Sequence, residues 1–173
     1  MHGRKGPKAD KTVAGSSVKF LHEGEKLPLV VIKDGRRRGD DLKGSYRFGV
    51  CFDSSPSSEK ALAQVISMMA PQDKLAIITC REPGIDSNLE SKIKAICGKT
   101  KYNHADLERE VNHTIFQRIK QYLKDEMNDN NYIDFVAVGS KGVGSSQKDS
   151  PEYVGSVATL VLTARNMNCI FVP

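Results

Sequence analysis

Residues 133–173 read IDFVAVGSKGVGSSQKDSPEYVGSVATLVLTARNMNCIFVP, and the order of patterns in this stretch decides the fold. Ile133 to Val138 is an apolar run with three β-branched residues, the composition of a strand buried on both faces. The loop GSKGVGSS follows it. Ser150 is placed to cap a helix with Pro151 at its first position, and Val154, Val157, Leu160, Val161 and Ala164 supply one apolar face. Cys169 to Val172 is the last strand. Strand, loop, helix and strand in that order predict a parallel sheet covered by helices.

The same alternation starts at Arg47. Strand one runs from Arg47 to Phe52, and after the polar turn Asp53 to Ser58 a helix is expected from Ser57 or Ser58 to Met69, with Ala61, Leu62, Val65, Ile66 and Met69 on one face and Pro71 as its stop. KLAIITC, Lys74 to Cys80, is a second buried strand. Leu89, Ile93 and Ile96 predict a short helix ending at Gly98. A longer helix is read from His104 to about Asn128, because Leu107, Val111, Ile115, Ile119, Tyr122 or Leu123, and Met127 form a continuous stripe. Between the two, KAICGKTKYNHAD offers only a short strand candidate around Thr100 to Tyr102.

The chain has 173 residues, 39% hydrophobic and 27% charged, which suits one soluble domain, and no run approaches the ~18 to 20 apolar residues of a membrane span. The first residues lack the apolar stretch of a secretory signal. Cys51, Cys80, Cys97 and Cys169 are scattered without CxxC spacing, and His2, His22, His104 and His113 complete no metal set. They read as reduced thiols, which fits a cytoplasmic protein.

The net charge of +5 lies in the N-terminal quarter: residues 1–46 carry eleven Lys and Arg against six Asp and Glu, and residues 47–173 carry fifteen of each. Residues 1–45 are therefore read as a basic extension, unstructured over Met1 to Ser17, with short apolar runs at Val18 to Leu21 and Leu29 to Ile32 that form a hairpin or packed arm. Residues 46–173 are read as the α/β domain. Nothing in the extension alternates aromatics with basic residues, so nucleic acid is not the expected partner.

In an open α/β sheet, ligands bind outside the carboxyl ends of the strands. Asp53, the pair Thr79 and Cys80, and the loop from Gly139 to Ser146 fall there, and glycines let backbone N–H donors approach an anion. The loop matches neither GxxxxGK[ST] nor a GxGxxG that opens a helix.

Two segments carry a family resemblance. The strand FGVCF at 48–52, the turn that Asp53 opens and the helix start EKAL at 59–62 are similar to the beginning of universal stress proteins, with Asp53, Ser55, Ser58, Ala61 and Leu62 at the positions of their D-x-S-x-x-S-x-x-A-L pattern. DFVAVGSKG and GSVATLVLTARNMNCIFVP resemble their fourth strand, glycine loop, Gly-Ser helix and last strand. The resemblance, to a family within the adenine-nucleotide alpha hydrolase-like group, covers residues 47–80 and 133–173. It implies a three-layer α/β sandwich with a mainly parallel, doubly wound sheet of strand order 3-2-1-4-5, in which strand 3 has little sequence support. Where that strand is absent, Leu29 to Ile32 is the segment available to cover the edge.

The resemblance also implies ATP, with magnesium as its counterion and no protein-held metal. The family's Gly-x2-Gly-x9-Gly-[Ser/Thr] motif falls on Gly139, Gly142, Gly155 and Ser156, although twelve residues separate the last two glycines where the family has nine. Asp53, Cys80 and Val138 would border the adenosine, with Ser54, Lys141 and Val157 alongside. Ser54 and Ser55 are also placed to cap the first helix. No nucleophile, base and orienting group converge, so the expectation is a regulatory module in stress response or signalling, with at most weak ATP hydrolysis. The alternative is a nucleotide-free dimeric scaffold whose basic N-terminus contacts an anionic partner. Dimerisation in the family uses the last strand, and a chain that stops at Pro173 leaves that edge open. An ATP pyrophosphatase is disfavoured, because the turn from Asp53 to Ser58 is not an SGGxDS loop.

Overall fold

A computed structural model describes residues 27–33, 44–81, 88–110, 112–128, 132–143, 154–164 and 167–173. Its elements are β1 (Leu29–Val31), β2 (Arg47–Cys51), α1 (Pro56–Met68), β3 (Lys74–Arg81), α2 (Leu89–Cys97), β4 (Asn103–Glu108), α3 (Ile115–Asn128), β5 (Phe135–Gly139), α4 (Ser156–Thr163) and β6 (Asn168–Val172). The sheet order is β1-β6-β5-β2-β3-β4, parallel throughout except for β1. The five parallel strands have the expected 3-2-1-4-5 order, with β1 added at one edge. No helix among the described residues is long and apolar enough to cross a membrane.

Alternation along the central strands sorts two cores, since successive side chains point to opposite faces. Val50, Ile77, Ala137 and Ile170 pack with Leu62 and Val65 of α1 and Ile93 of α2. Their neighbours Cys51, Ile78, Val136, Val138 and Phe171 pack with Ile119 and Leu123 of α3 and Val161 of α4. Helices on both faces of one sheet make the three-layer sandwich.

The third strand is present, but not where its candidate lay. β4 occupies Asn103–Glu108, inside the segment read as the start of a long helix, and pairs with Ala76 to Arg81. Ala105 and Leu107 are half-buried while Asn103, His104, Asp106 and Glu108 are exposed, the period-two pattern of an edge strand. Polar cross-strand bonds favour this arrangement: the Thr79 hydroxyl donates to Asp106 Oδ1 at 3.0 Å and meets His104 Nε2 at 3.0 Å. The helix begins instead at Ile115. Thr114 Oγ1 accepts from Gln117 N at 3.2 Å, and Gln117 Oε1 accepts from Thr114 N at 2.7 Å, a reciprocal capping box that stops the helix from extending backwards.

Three further expectations are corrected. The run at Leu29 to Ile32 does not cover the edge beside strand 3. It pairs with β6 at the opposite edge, Leu29 facing Phe171 and Val31 facing Cys169. The outer edge of the last strand is consequently occupied by this chain's own β1, not open to a second copy. Finally, α4 starts at Ser156, because Gly155 is extended at ψ 154°. A helix continuous through Gly155 is excluded by that residue; Ser150 and Pro151, like Val18 to Leu21, lie outside the described residues.

Lys33 fixes β1 further. Its amide donates to Asn168 Oδ1 at 2.8 Å and its ammonium to Val161 O at 2.6 Å, placing a cation on a carbonyl near the C-terminus of α4, where the helix dipole favours it.

Loss of the Thr114 cap should be measurable. Thr114→Ala is expected to lower stability by about 0.5–2 kcal/mol in urea unfolding, with faster amide exchange confined to the first turn of α3.

Candidate functional site

The strand order reverses between β2 and β5, because the chain goes from β2 outward to β3 and β4, then returns to β5 and β6 on the other side. A crevice forms at such a reversal, beyond the carboxyl ends of the strands. Here it is a cleft of about 280 Å³. Asp53 lies past the end of β2, Cys80 on β3, Gly139, Lys141 and Gly142 on the loop after β5, and Gly155, Ser156 and Val157 at the start of α4.

Nine of the ten residues singled out from sequence line this cleft: Asp53, Cys80, Val138, Gly139, Lys141, Gly142, Gly155, Ser156 and Val157. Ser54 does not. It takes a left-handed φ of 61° in the turn into α1, and its carbonyl accepts from Lys92 Nζ at 3.3 Å. The sequence reading missed the wall opposite the loops, formed by Ile78 of β3 with Ile115 and Ile119 of α3. The i, i+4 spacing of Ile115 and Ile119 is the signal for this wall, and it is the same spacing that makes the core stripe of α3.

Polar wiring joins the loops. The Asp53 carboxylate accepts from Ser55 N at 3.1 Å and Ser55 Oγ at 2.6 Å through Oδ1, and from Val143 N at 2.9 Å through Oδ2. It thus ties the β2–α1 turn to the loop after β5. Ser55 Oγ accepts from Ser58 N at 3.3 Å as the α1 N-cap. Ser57 Oγ accepts from Lys141 N at 3.3 Å and donates to the Lys141 carbonyl, and Ser140 N donates to Val172 O at 2.7 Å. Gly155 N donates to Ser140 O at 2.9 Å, which holds the start of α4 against the same loop.

A side chain is opposed at two of these positions, by backbone at one and by a carboxylate at the other. A Cβ on Gly139 would lie 2.6 Å from the Ser57 carbonyl carbon and 2.7 Å from Ser58 N, so the backbone of α1 forbids one. A Cβ on Gly142 would lie 2.6 Å from Asp53 Oδ2. Gly155 differs, since its nearest neighbours would be at 3.5 and 3.7 Å, ordinary contact distances.

The cleft has an apolar wall, a backbone-rich end and one cationic side chain among its described lining residues, Lys141. Burial pushes the Cys51 thiol up to about 12, with the charges of Asp53 and Cys80 adding to the effect. Burial also raises Cys80, opposed by the positive charges of Arg118 and Arg109. These thiols are protonated at neutral pH and serve as wall. No group of three or more His, Cys, Asp or Glu side chains among the described residues is arranged to hold a metal ion.

No protein-family model matches the chain, and no curated protein matches it in sequence. A solved structure that is similar is the crystal structure of universal stress protein in complex with cAMP, at 19% identity and a TM-score of 0.48, over 74% of this chain and 96% of that chain. A likeness of that degree leaves the site to stand on its own geometry.

Two outcomes follow for stability. Gly139→Ala forces its methyl onto the α1 backbone and should cost about 1–3 kcal/mol in chemical denaturation, whereas Gly155→Ala should stay below about 1 kcal/mol. The raised thiols give an alkaline limit. The unfolded thiols lose their protons near 9 while Cys51 holds its own to about 12, and Cys80, Cys97 and Cys169 are shifted in the same direction. Above pH 9 the unfolded chain therefore binds fewer protons than the fold, and stability falls as pH rises from 9 towards 12. Cys51→Ser should flatten that slope in pH-dependent melting curves.

Proposed function

We propose that this protein is a nucleotide-binding module like the universal stress proteins, with an adenine nucleotide, ATP in the first instance, as a regulatory ligand in the cleft. The observation that carries this reading is the meeting, at the strand-order reversal, of an apolar wall with two glycine-bearing backbone segments and a helix N-terminus. The wall of Ile78, Ile115, Ile119 and Val138 suits a flat base. The backbone end, with Gly139, Gly142, Gly155 and Ser156, suits phosphate, because the first-turn amides of a helix lack partners within it and carry partial positive charge. Lys141 adds the cation. Magnesium would accompany the phosphates as a counterion without a protein-held site. Cytoplasmic stress response or signalling is the setting that the sequence resemblance implies.

The second reading, a nucleotide-free dimeric scaffold of the same fold, draws on the Asp53 carboxylate. It already sits on Val143 N at 2.9 Å, so a negative charge of the chain's own fills part of the backbone end. In that reading the basic N-terminal extension supplies contact with an anionic partner, and dimerisation through β6 requires β1 to leave its edge.

Ser156→Asp separates the two. Ser156 is exposed at the first position of α4, where a carboxylate is favoured by the helix dipole, so the variant should fold with unchanged or slightly higher melting temperature. Facing a phosphate, the same carboxylate should weaken ATP binding by roughly tenfold or more, a difference of about 1.4 kcal/mol. The wild-type chain should show an ATP-dependent rise in melting temperature and carry adenine nucleotide through purification, detected by mass spectrometry. Absence of both sinks the nucleotide reading; binding that Ser156→Asp leaves intact removes this end of the cleft from the site.

A further inference from the structure

At the opposite end of the sheet a second cavity, of about 720 Å³, opens between the turn that follows α1 and the loop from α2 into β4. Its floor is apolar: Ile66, Met69 and Tyr102 pack half-buried against the core, and Leu75 is 3% exposed. Its rim carries Lys74, Lys99 and Lys101, all exposed. Among the described residues these three ammonium groups make no ion pair or hydrogen bond.

The carboxylate of Asp73, the acid that lines the same cavity, is committed elsewhere. Its Oδ1 accepts from Tyr46 N at 2.6 Å and its Oδ2 from Ala70 N at 2.9 Å, which fixes the turn that makes one wall. The other wall is held as well. Gly98 closes α2 in a positive-φ conformation at 55°, with its amide on Lys94 O at 3.0 Å, and Thr100 N donates to Cys97 O at 2.9 Å. Both walls are therefore set before anything binds, which limits the ordering cost of binding.

We propose that this groove binds a small organic anion with an apolar body, its carboxylate or phosphate head held by Lys74, Lys99 and Lys101. Residues 47–173 carry equal numbers of basic and acidic side chains, so three unpaired lysines over one spent carboxylate form a local feature and not the overflow of a basic domain. The concave shape and the volume lie in the range of small-molecule sites. A nucleic acid would call for a longer basic stripe along the backbone path. The groove shares no lining residue with the cleft, so it stands or falls independently of the nucleotide reading.

The probe is 1-anilinonaphthalene-8-sulfonate, titrated into the full chain by fluorescence with decanoate as competitor. Saturable binding is expected, displaced by decanoate, weakened by added salt, and weakened roughly tenfold in the double variant Lys99→Glu with Lys101→Glu. Both positions are exposed, so the variant should keep the wild-type circular dichroism. Should it not fold, Lys99→Ala with Lys101→Ala is read in the same way. Probe binding that Ser156→Asp weakens while the lysine variants leave it intact belongs to the cleft and overturns the proposal. Binding that is indifferent to the lysine variants, or absent, overturns the proposal. Displacement by poly-glutamate but not by decanoate also overturns it, in favour of an acidic peptide.

Discussion

One close approach organises the cleft end of the molecule: the chain leaving β5 lies against the first turn of α1 with no room for a side chain between them. The 2.6 Å that would separate a Gly139 Cβ from the Ser57 backbone measures how tight it is. Because the two segments touch, Ser57 reaches both backbone groups of Lys141, and Asp53 reaches Val143. The loop is thereby shaped by contacts 84 and 90 positions away in sequence, and α4 is hung from it through Ser140 and Gly155. A glycine that reads as loop punctuation is here a steric condition for assembling four elements.

The four central parallel strands, β2, β3, β5 and β6, and helices α1 and α2 were legible because their patterns are clear. KLAIITC carries three successive β-branched residues in a run that is apolar from Leu75 to Ile78, and a serine-rich turn before an amphipathic run marks a helix start. The segment from Thr100 to Gln117 was not, for a physical reason. Leu107, Val111 and Ile115 have helical spacing, while Ala105 and Leu107 alternate equally well, and local pattern cannot choose between the two periods. Pairing with Thr79 and the Thr114–Gln117 box decided it, and only the box was visible in sequence. Among the site residues, those at strand ends were placed by the rule that loops at the carboxyl edge converge. The α3 wall escaped because which helix face borders the cleft depends on where the helix begins.

The two ends of the sheet differ in what their acids do. At the cleft, the Asp53 carboxylate binds backbone donors of two loops and puts its charge into the same cleft as the one lysine among the described lining residues. At the far end, Asp73 uses the same chemistry to close a turn, while three lysines stand apart from it. A carboxylate that serves as a backbone clamp is structural and electrostatic at once, and its second role depends on which charges lie near it.

The antiparallel strand β1 has a consequence for the order of folding. Lys33 and Asn168, which it brings into hydrogen-bond contact, are 135 positions apart, so this pairing closes the longest loop among the sheet contacts and costs the most chain entropy to form. It cannot pair until β6 exists, and β6 is the last strand of the sheet to be synthesised. On a ribosome, β1 is synthesised long before its partner emerges and must wait, apolar and unpaired, through production of nearly the whole domain. The last strand of the sheet to be made is thus covered by the first.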